Sequence, residues 1–119
     1  MVMNDKHSLS ELNSSKKIYS LLGLAQRGRN VASGEYMTEC SVKEGKAELV
    51  IVAADASENT KKKFQNMCSF YHVPIAILGT KEELGHAIGK EMRASIAVTD
   101  PGLAGAMQKQ IDDSINNGR

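Results

Sequence analysis

The stretch from Glu48 to Ala54, Glu-Leu-Val-Ile-Val-Ala-Ala, constrains the fold more than any other part of the chain. A continuous apolar run rich in β-branched residues does not alternate, so it suits a strand covered on both faces. Such a strand needs helices above and below it, and the flanking sequence supplies them. Ser57 is placed to cap a helix in which Phe64, Met67, Cys68 and Tyr71 recur at the spacing of one buried face. His72 to Pro74 breaks that helix, Ile75 to Leu78 is a second buried strand, and Gly79 ends it.

The same punctuation continues to either side. Thr80 with Glu83 three residues on is a capping box for a short helix over Lys81 to Ile88. Ser95 to Thr99 is a further strand, and Asp100 with Pro101 opens a last helix at the position where proline's missing amide costs least. Leu103, Met107, Ile111 and Ile115 are its buried stripe. Toward the N-terminus, Ser14 or Ser15 caps a helix running to about Arg27, with Ile18, Leu21, Leu22 and Ala25 on its buried face and Gly28 at its end. A short extended piece, Asn30 to Ser33, leads into Gly34 and a helix from about Glu35 to Glu44, closed by Gly45. The order is α-β-α-β-α-β-α-β-α. It predicts an α/β fold, a three-layer α-β-α sandwich around a small, mainly parallel or mixed four-stranded sheet. Residues 1–13 are expected to be a flexible leader and 14–116 one domain, the usual count for 119 residues.

Cys40 and Cys68, the two cysteines, are too few for a disulfide framework, and both fall in helical patterns as reduced core residues. No apolar run approaches the ~18 residues of a membrane helix, and the polar N-terminal stretch lacks the apolar core of a signal peptide. The expectation is a cytoplasmic protein without a membrane partner.

Enzyme motifs are missing. There is no phosphate-binding glycine loop followed by Lys-Ser or Lys-Thr, and no G-x-G-x-x-G after a strand. Cys68 and His72 stand four apart and supply half a metal site at most, with only His7 and His86 elsewhere, so a core thiol beside a partly exposed histidine is the simpler reading. A catalytic thiolate needs a cation or helix N-terminus beside it, and Cys68 is mid-helix. No cofactor, metal or catalytic residue is expected. Asp55 directly follows the central strand, where α/β folds place ligand contacts, but helix capping by Asp55 or Ser57 explains the same residues.

A net charge of +1 makes a weak case for nucleic acid, so any such case rests on where the charges sit. Arg27 and Arg29, the run Lys61 to Lys63, and Lys90 with Arg93 form three basic spots beside helix ends. Such runs are usually solvated faces, yet together they can also follow a phosphate backbone. The aromatic residues all fall in helical positions, which disfavours a single-strand stacking platform and leaves structured RNA as the better partner.

Gly34, its helix, Gly45 and Ala47 to Asp55 resemble the opening of the ribosomal L7Ae-like proteins. The resemblance continues through Tyr71-His-Val-Pro74, Leu84-Gly85-His-Ala-Ile-Gly89 and Ala94-Ser-Ile-Ala-Val98, covering about Ile18 to Ile111. Asp55 to Thr60 and Gly89 to Arg93 look like the small bacterial YlxQ-type members. The resemblance implies a sandwich that binds kink-turn RNA, with a polar helix opening that reads guanine edges and a loop before the last strand that covers a flipped-out nucleotide. Here that opening is Gly34, Glu35, Tyr36 and Met37, and the loop is Lys90, Glu91, Met92, Arg93 and Ala94. Tyr36 and Met37 stand where the family carries Asn and Glu, so the edge-readers are absent, and Ala32 and Ser33 replace basic residues. The expected function is therefore a monomeric, non-enzymatic binder of ribosomal or kink-turn-like RNA, associated with the ribosome and without DNA specificity. The expected contacts lie on three loops. They are Arg27, Arg29, Asn30, Ser33, Gly34 and Glu35; Asp55, Ser57, Asn59 and Lys61; and Lys90, Met92, Arg93 and Ala94. A protein-interaction module on the same fold, using Tyr36 and Met37 as a partner surface or dimer contact, is the alternative, and an enzyme built on Asp55 ranks last.

Overall fold

The computed structural model describes residues 6–117, and the side chains of 15–115. The elements come in the expected order: α1 (Lys6–Arg27), β1 (Val31–Ser33), α2 (Glu35–Lys43), β2 (Leu49–Val52), α3 (Glu58–Tyr71), β3 (Ile75–Ile77), α4 (Lys81–Ala87), β4 (Ser95–Val98) and α5 (Pro101–Asn117). Helix α1 starts at Lys6, ahead of Ser14 and Ser15, so the chain over 6–13 is helical; residues 1–5 of the expected leader lie outside the described residues.

Most helix ends obey the local chemistry. Ser57 Oγ accepts from the Thr60 amide at 3.1 Å and caps α3. Thr80 and Glu83 form the reciprocal capping box of α4, with both bonds at 3.0 Å. Asp100 Oδ2 accepts from the Leu103 amide at 2.8 Å behind Pro101. After α1, the left-handed residue is Arg29 rather than glycine, with φ 62°.

The sheet runs β1-β4-β2-β3 and is mixed. Only β2 and β3 are parallel; β4 lies between β1 and β2, antiparallel to both. The connection over residues 78–94 holds the short α4 and turns back at the end of the sheet where β3 stops, so β4 starts there and runs antiparallel to β2.

Leu49, Val50, Ile51 and Val52 are all buried, as their unbroken apolar run requires. Helices α2 and α3 pack together on one side of the sheet, and α1, α4 and α5 on the other. Phe64, Leu22, Leu49, Ile51, Leu84, Ile96 and Met107 fill the interior. Truncating a buried Phe such as Phe64 to Ala typically costs ~3–5 kcal/mol. Ser95 Oγ donates to Thr38 Oγ1 at 3.3 Å, so two buried hydroxyls satisfy one another and fix α2 against β4.

Four expectations about burial are corrected, the first being Tyr71, which is exposed at the end of α3 instead of on its buried face. β3 is an edge strand and its Ile77 is exposed, because β2 pairs with only one of its sides. Cys40 is only half-buried, on a flank of α2 turned from the core, whereas Cys68 is buried. The stripe of α5 fades toward its end: Met107 is fully buried, Leu103 and Ile111 partly, and Ile115 is exposed.

Candidate nucleic-acid interface

The mixed sheet decides which loops meet. Ser33 pairs with Ile96, and Val52 with both Ser95 and Ile77. The carboxyl ends of β1, β2 and β3 therefore share one edge with the amino end of β4. Gly34, the Ala53–Ser57 turn and the Gly89–Ala94 loop all lie along that edge.

Gly34 leaves β1 with φ 90° and ψ 160°, a conformation that is essentially glycine's alone. Its amide donates to the Ser95 carbonyl at 3.0 Å. Backbone conformation, rather than crowding, fixes this glycine, because a Cβ built there meets nothing within 4 Å.

The loop before β4 is held from beneath. The Lys90 amide donates to the Gly85 carbonyl at 2.8 Å, and the Arg93 amide to the Lys81 carbonyl at 3.0 Å. Gly85 is buried, and a Cβ there would collide with the Glu91 carbonyl, so the loop rests directly on the helix. Arg93 Nε donates to Ser33 Oγ at 3.2 Å and Nη1 to the Met92 carbonyl at 2.9 Å. A guanidinium has five N–H groups, so Arg93 is oriented with donors to spare. Met92 is 57% exposed beside it.

The predicted residues divide by place. Ser33, Gly34, Glu35, Asp55, Ser57, Asn59, Lys61, Lys90, Met92, Arg93 and Ala94 gather at this edge. Arg27, Arg29 and Asn30 do not. They precede β1, at the opposite edge, where the Asn30 carbonyl accepts from the Thr99 amide at 2.9 Å. The loop expected to run from Arg27 to Glu35 thus spans the whole strand, and its two ends face different sides.

Several gathered residues are already engaged. Asp55 Oδ1 accepts from the Lys81 amide at 2.9 Å, so it caps α4 rather than its own helix. Ser57 caps α3, and the Ala94 carbonyl accepts from the Ala53 amide at 2.9 Å. Lys61 pairs with Glu58 at 3.3 Å, and Glu35 with Lys63 at 3.0 Å. Among the described residues Lys62, Lys81, Lys90 and Arg93 have no ion-pair partner. Lys62 was read only as part of the Lys61–Lys63 run, and Lys81, which no basic spot included, reaches this edge because β3, parallel to β2, ends there.

A second feature had no sequence signal. Lys63 bridges from α3 to Glu35 and Glu39 of α2, at 3.0 and 2.8 Å. The hydrogen bonds from Lys43 and then Lys63 hold the Glu39 carboxyl at about 2, well below its ordinary 4.5. Burial pushes the Cys68 thiol up to about 11, which keeps it neutral and unreactive. His72 is an exposed, left-handed cap on α3. Among the described residues no group of three or more His, Cys, Asp or Glu side chains is placed to hold a metal, and no helix is long and apolar enough to cross a membrane.

A three-layer sandwich over a four-stranded mixed sheet defines a class of small α/β proteins. The chain belongs to the ribosomal protein L7Ae/L30e/S12e/Gadd45 family, which it matches over residues 16–107. It is 42% identical over 94 residues to the RNA-binding protein YlxQ of Bacillus subtilis (strain 168), covering 79% of this chain and 94% of that one. The RNA-binding protein YlxQ of Enterococcus faecium is 38% identical over 97 residues, covering 82% and 93%. Among solved structures, a Bacillus halodurans protein of unknown function superposes with a TM-score of 0.78 at 41% identity, covering 81% of this chain and 97% of its own. The Giardia lamblia 15.5kD RNA binding protein shares the fold, with a TM-score of 0.70 at 22% identity and coverage of 94% and 92%.

Proposed function

We propose that this chain is a non-enzymatic, monomeric, cytoplasmic protein that binds structured RNA in association with the ribosome. The sheet edge bearing Gly34, Met92 and Arg93 is its contact surface. The observation that carries the reading is Arg93, whose guanidinium is pinned by Ser33 and the Met92 carbonyl but keeps N–H groups for a phosphate. Lys62, Lys81 and Lys90 add charge around it, and exposed Met92 offers an apolar cover for an unstacked base. The two relatives described as RNA-binding proteins support the same reading.

Kink-turn or related RNA is the ligand of this proposal. Tyr36 and Met37 are 74% and 53% exposed at the start of α2, so recognition there rests on apolar and aromatic contact instead of hydrogen bonds to guanine edges. Fluorescence anisotropy on a labelled kink-turn duplex, beside a duplex lacking its G·A pairs, tests this. Binding to the first and not the second is the expected result. Equal binding to both removes kink-turn specificity, and no binding to either turns the reading toward a protein partner on the same fold.

A further inference from the structure

Helix α2 has two flanks. Glu35 and Glu39 face Lys63 of α3, whereas Tyr36, Met37, Cys40 and Ser41 line a groove of about 730 Å³ along β1. The β1 side of the groove is Val31 and Ala32, from the edge strand. We infer that this groove is a nucleobase site, in which an unstacked base of the bound RNA lies against the Tyr36 ring and its phosphate meets Arg29 at the far end.

Four observations carry the inference. The groove is open to solvent, and its volume is large enough to seat a small planar group. Tyr36, 74% exposed, offers an uncovered aromatic surface, and bases of every kind stack on such rings. Ser41 lines the groove, and its Oγ is the one buried side-chain polar atom among the described residues that lacks a hydrogen-bond partner. Such atoms are rare in folded proteins, and this one belongs to a residue of the groove wall. Arg29, lining the same groove, has no ion-pair partner among the described residues and is held in the left-handed region at φ 62°.

The charges favour a base inside rather than a phosphate. Glu44 and Lys46 pair with each other at 3.3 Å on the rim, and Glu48 adds a negative charge there. That leaves the interior neutral, with Arg29 the cation open to an anion. An added peptide strand fits less well, because β1 offers only three residues of open edge. Tyr36 and Met37 of the groove follow closely on Gly34 of the proposed RNA surface, so a strand leaving the Arg93 side needs only to pass the start of α2 to enter it.

The identity of the ligand as part of an RNA rests on the function proposed above, whereas free mononucleotide tests the groove by itself. Adenylate and uridylate are each titrated into the nitrogen-labelled full chain and followed by amide chemical shifts. The expected shifts fall on Val31, Ala32, Tyr36 and Ser41; Y36F retains them and Y36A weakens binding about tenfold or more, the loss of one stacked base. R29A weakens binding of the mononucleotides but not of adenosine. RNA affinity of Y36A is measured alongside. The inference is overturned if no groove amide shifts and Y36A binds RNA like the unaltered chain, a result that leaves the RNA reading standing. Mononucleotide binding in the groove without any RNA binding overturns the RNA reading instead. Groove shifts that appear on changing protein concentration alone identify a second copy as the occupant and overturn the inference. Tyr36 is so exposed that its replacement leaves the core intact.

Discussion

Arg93 and Ser33, sixty residues apart in sequence, are joined by a hydrogen bond of 3.2 Å that ties the loop before β4 to the end of β1. The bond fixes a cation that a free surface arginine would leave mobile, and so pre-orders the donors of the proposed interface. Arg93→Ala is expected to weaken RNA binding severalfold and to reduce the salt slope by about one phosphate. Ser33→Ala, which leaves the charge and frees the guanidinium, is expected to cost affinity with the slope unchanged. Anisotropy titrations at several salt concentrations separate the two effects, and an unchanged slope in Arg93→Ala removes that residue from the interface.

Gly85 supports the same loop from below. Gly85→Ala places a methyl group against the Glu91 carbonyl, and a backbone atom cannot swing aside as a flexible side chain can. Overpacking of this kind costs typically ~1–3 kcal/mol, occasionally more. A clear fall in the urea midpoint is expected, with weaker RNA binding at temperatures where the variant is still folded. A variant as stable as the original shows that the loop lifts off at little cost.

Glu39 predicts an acid-side dependence. Its folded pKa, about 2, lies below the ordinary 4.5. The stabilisation is therefore present above the ordinary value and is lost as pH falls from about 4.5 toward 2. Denaturation followed through that window is expected to show stability declining in the unaltered chain and declining less in Glu39→Gln. Equal declines in both proteins assign the loss to other carboxylates.

The two cysteines should differ in reactivity. Half-buried Cys40 is expected to alkylate at mild pH in the native protein, whereas buried Cys68, with its thiol at about 11, reacts only on unfolding. Mass spectrometry after timed iodoacetamide treatment, with and without denaturant, reads this directly. Early labelling of Cys68 reveals opening of α3 from the core.

Much of the fold was legible because its signals are local. Capping by Ser57, Thr80 with Glu83, and Asp100 depends on residues within three positions, and each appears where the sequence puts it. The buried faces of α1 and α3 followed from helical spacing at Ile18, Leu22, Phe64 and Cys68. The candidate site was legible in part. Arg93 came from the placement of charge as well as from resemblance to a family, Ser33, Gly34 and Met92 from that resemblance, and the structure brings them together. Asp55 shows the limit: its position after a central strand suggested a ligand contact, but the amide it accepts from belongs to Lys81, twenty-six residues on.

The sequence alone determined the element order, most helix ends and the double-sided burial of β2, since these depend on periodicity and on hydrogen bonds between near neighbours. Only the tertiary structure decided the direction of β4, because strand pairing is set by packing among distant segments and the connection over residues 78–94 is long enough for either direction. That direction places the Gly89–Ala94 loop at the carboxyl ends of the other strands instead of the opposite edge. It also separates Arg29 from Arg93, two cations that look equivalent in sequence and serve different ends of the molecule.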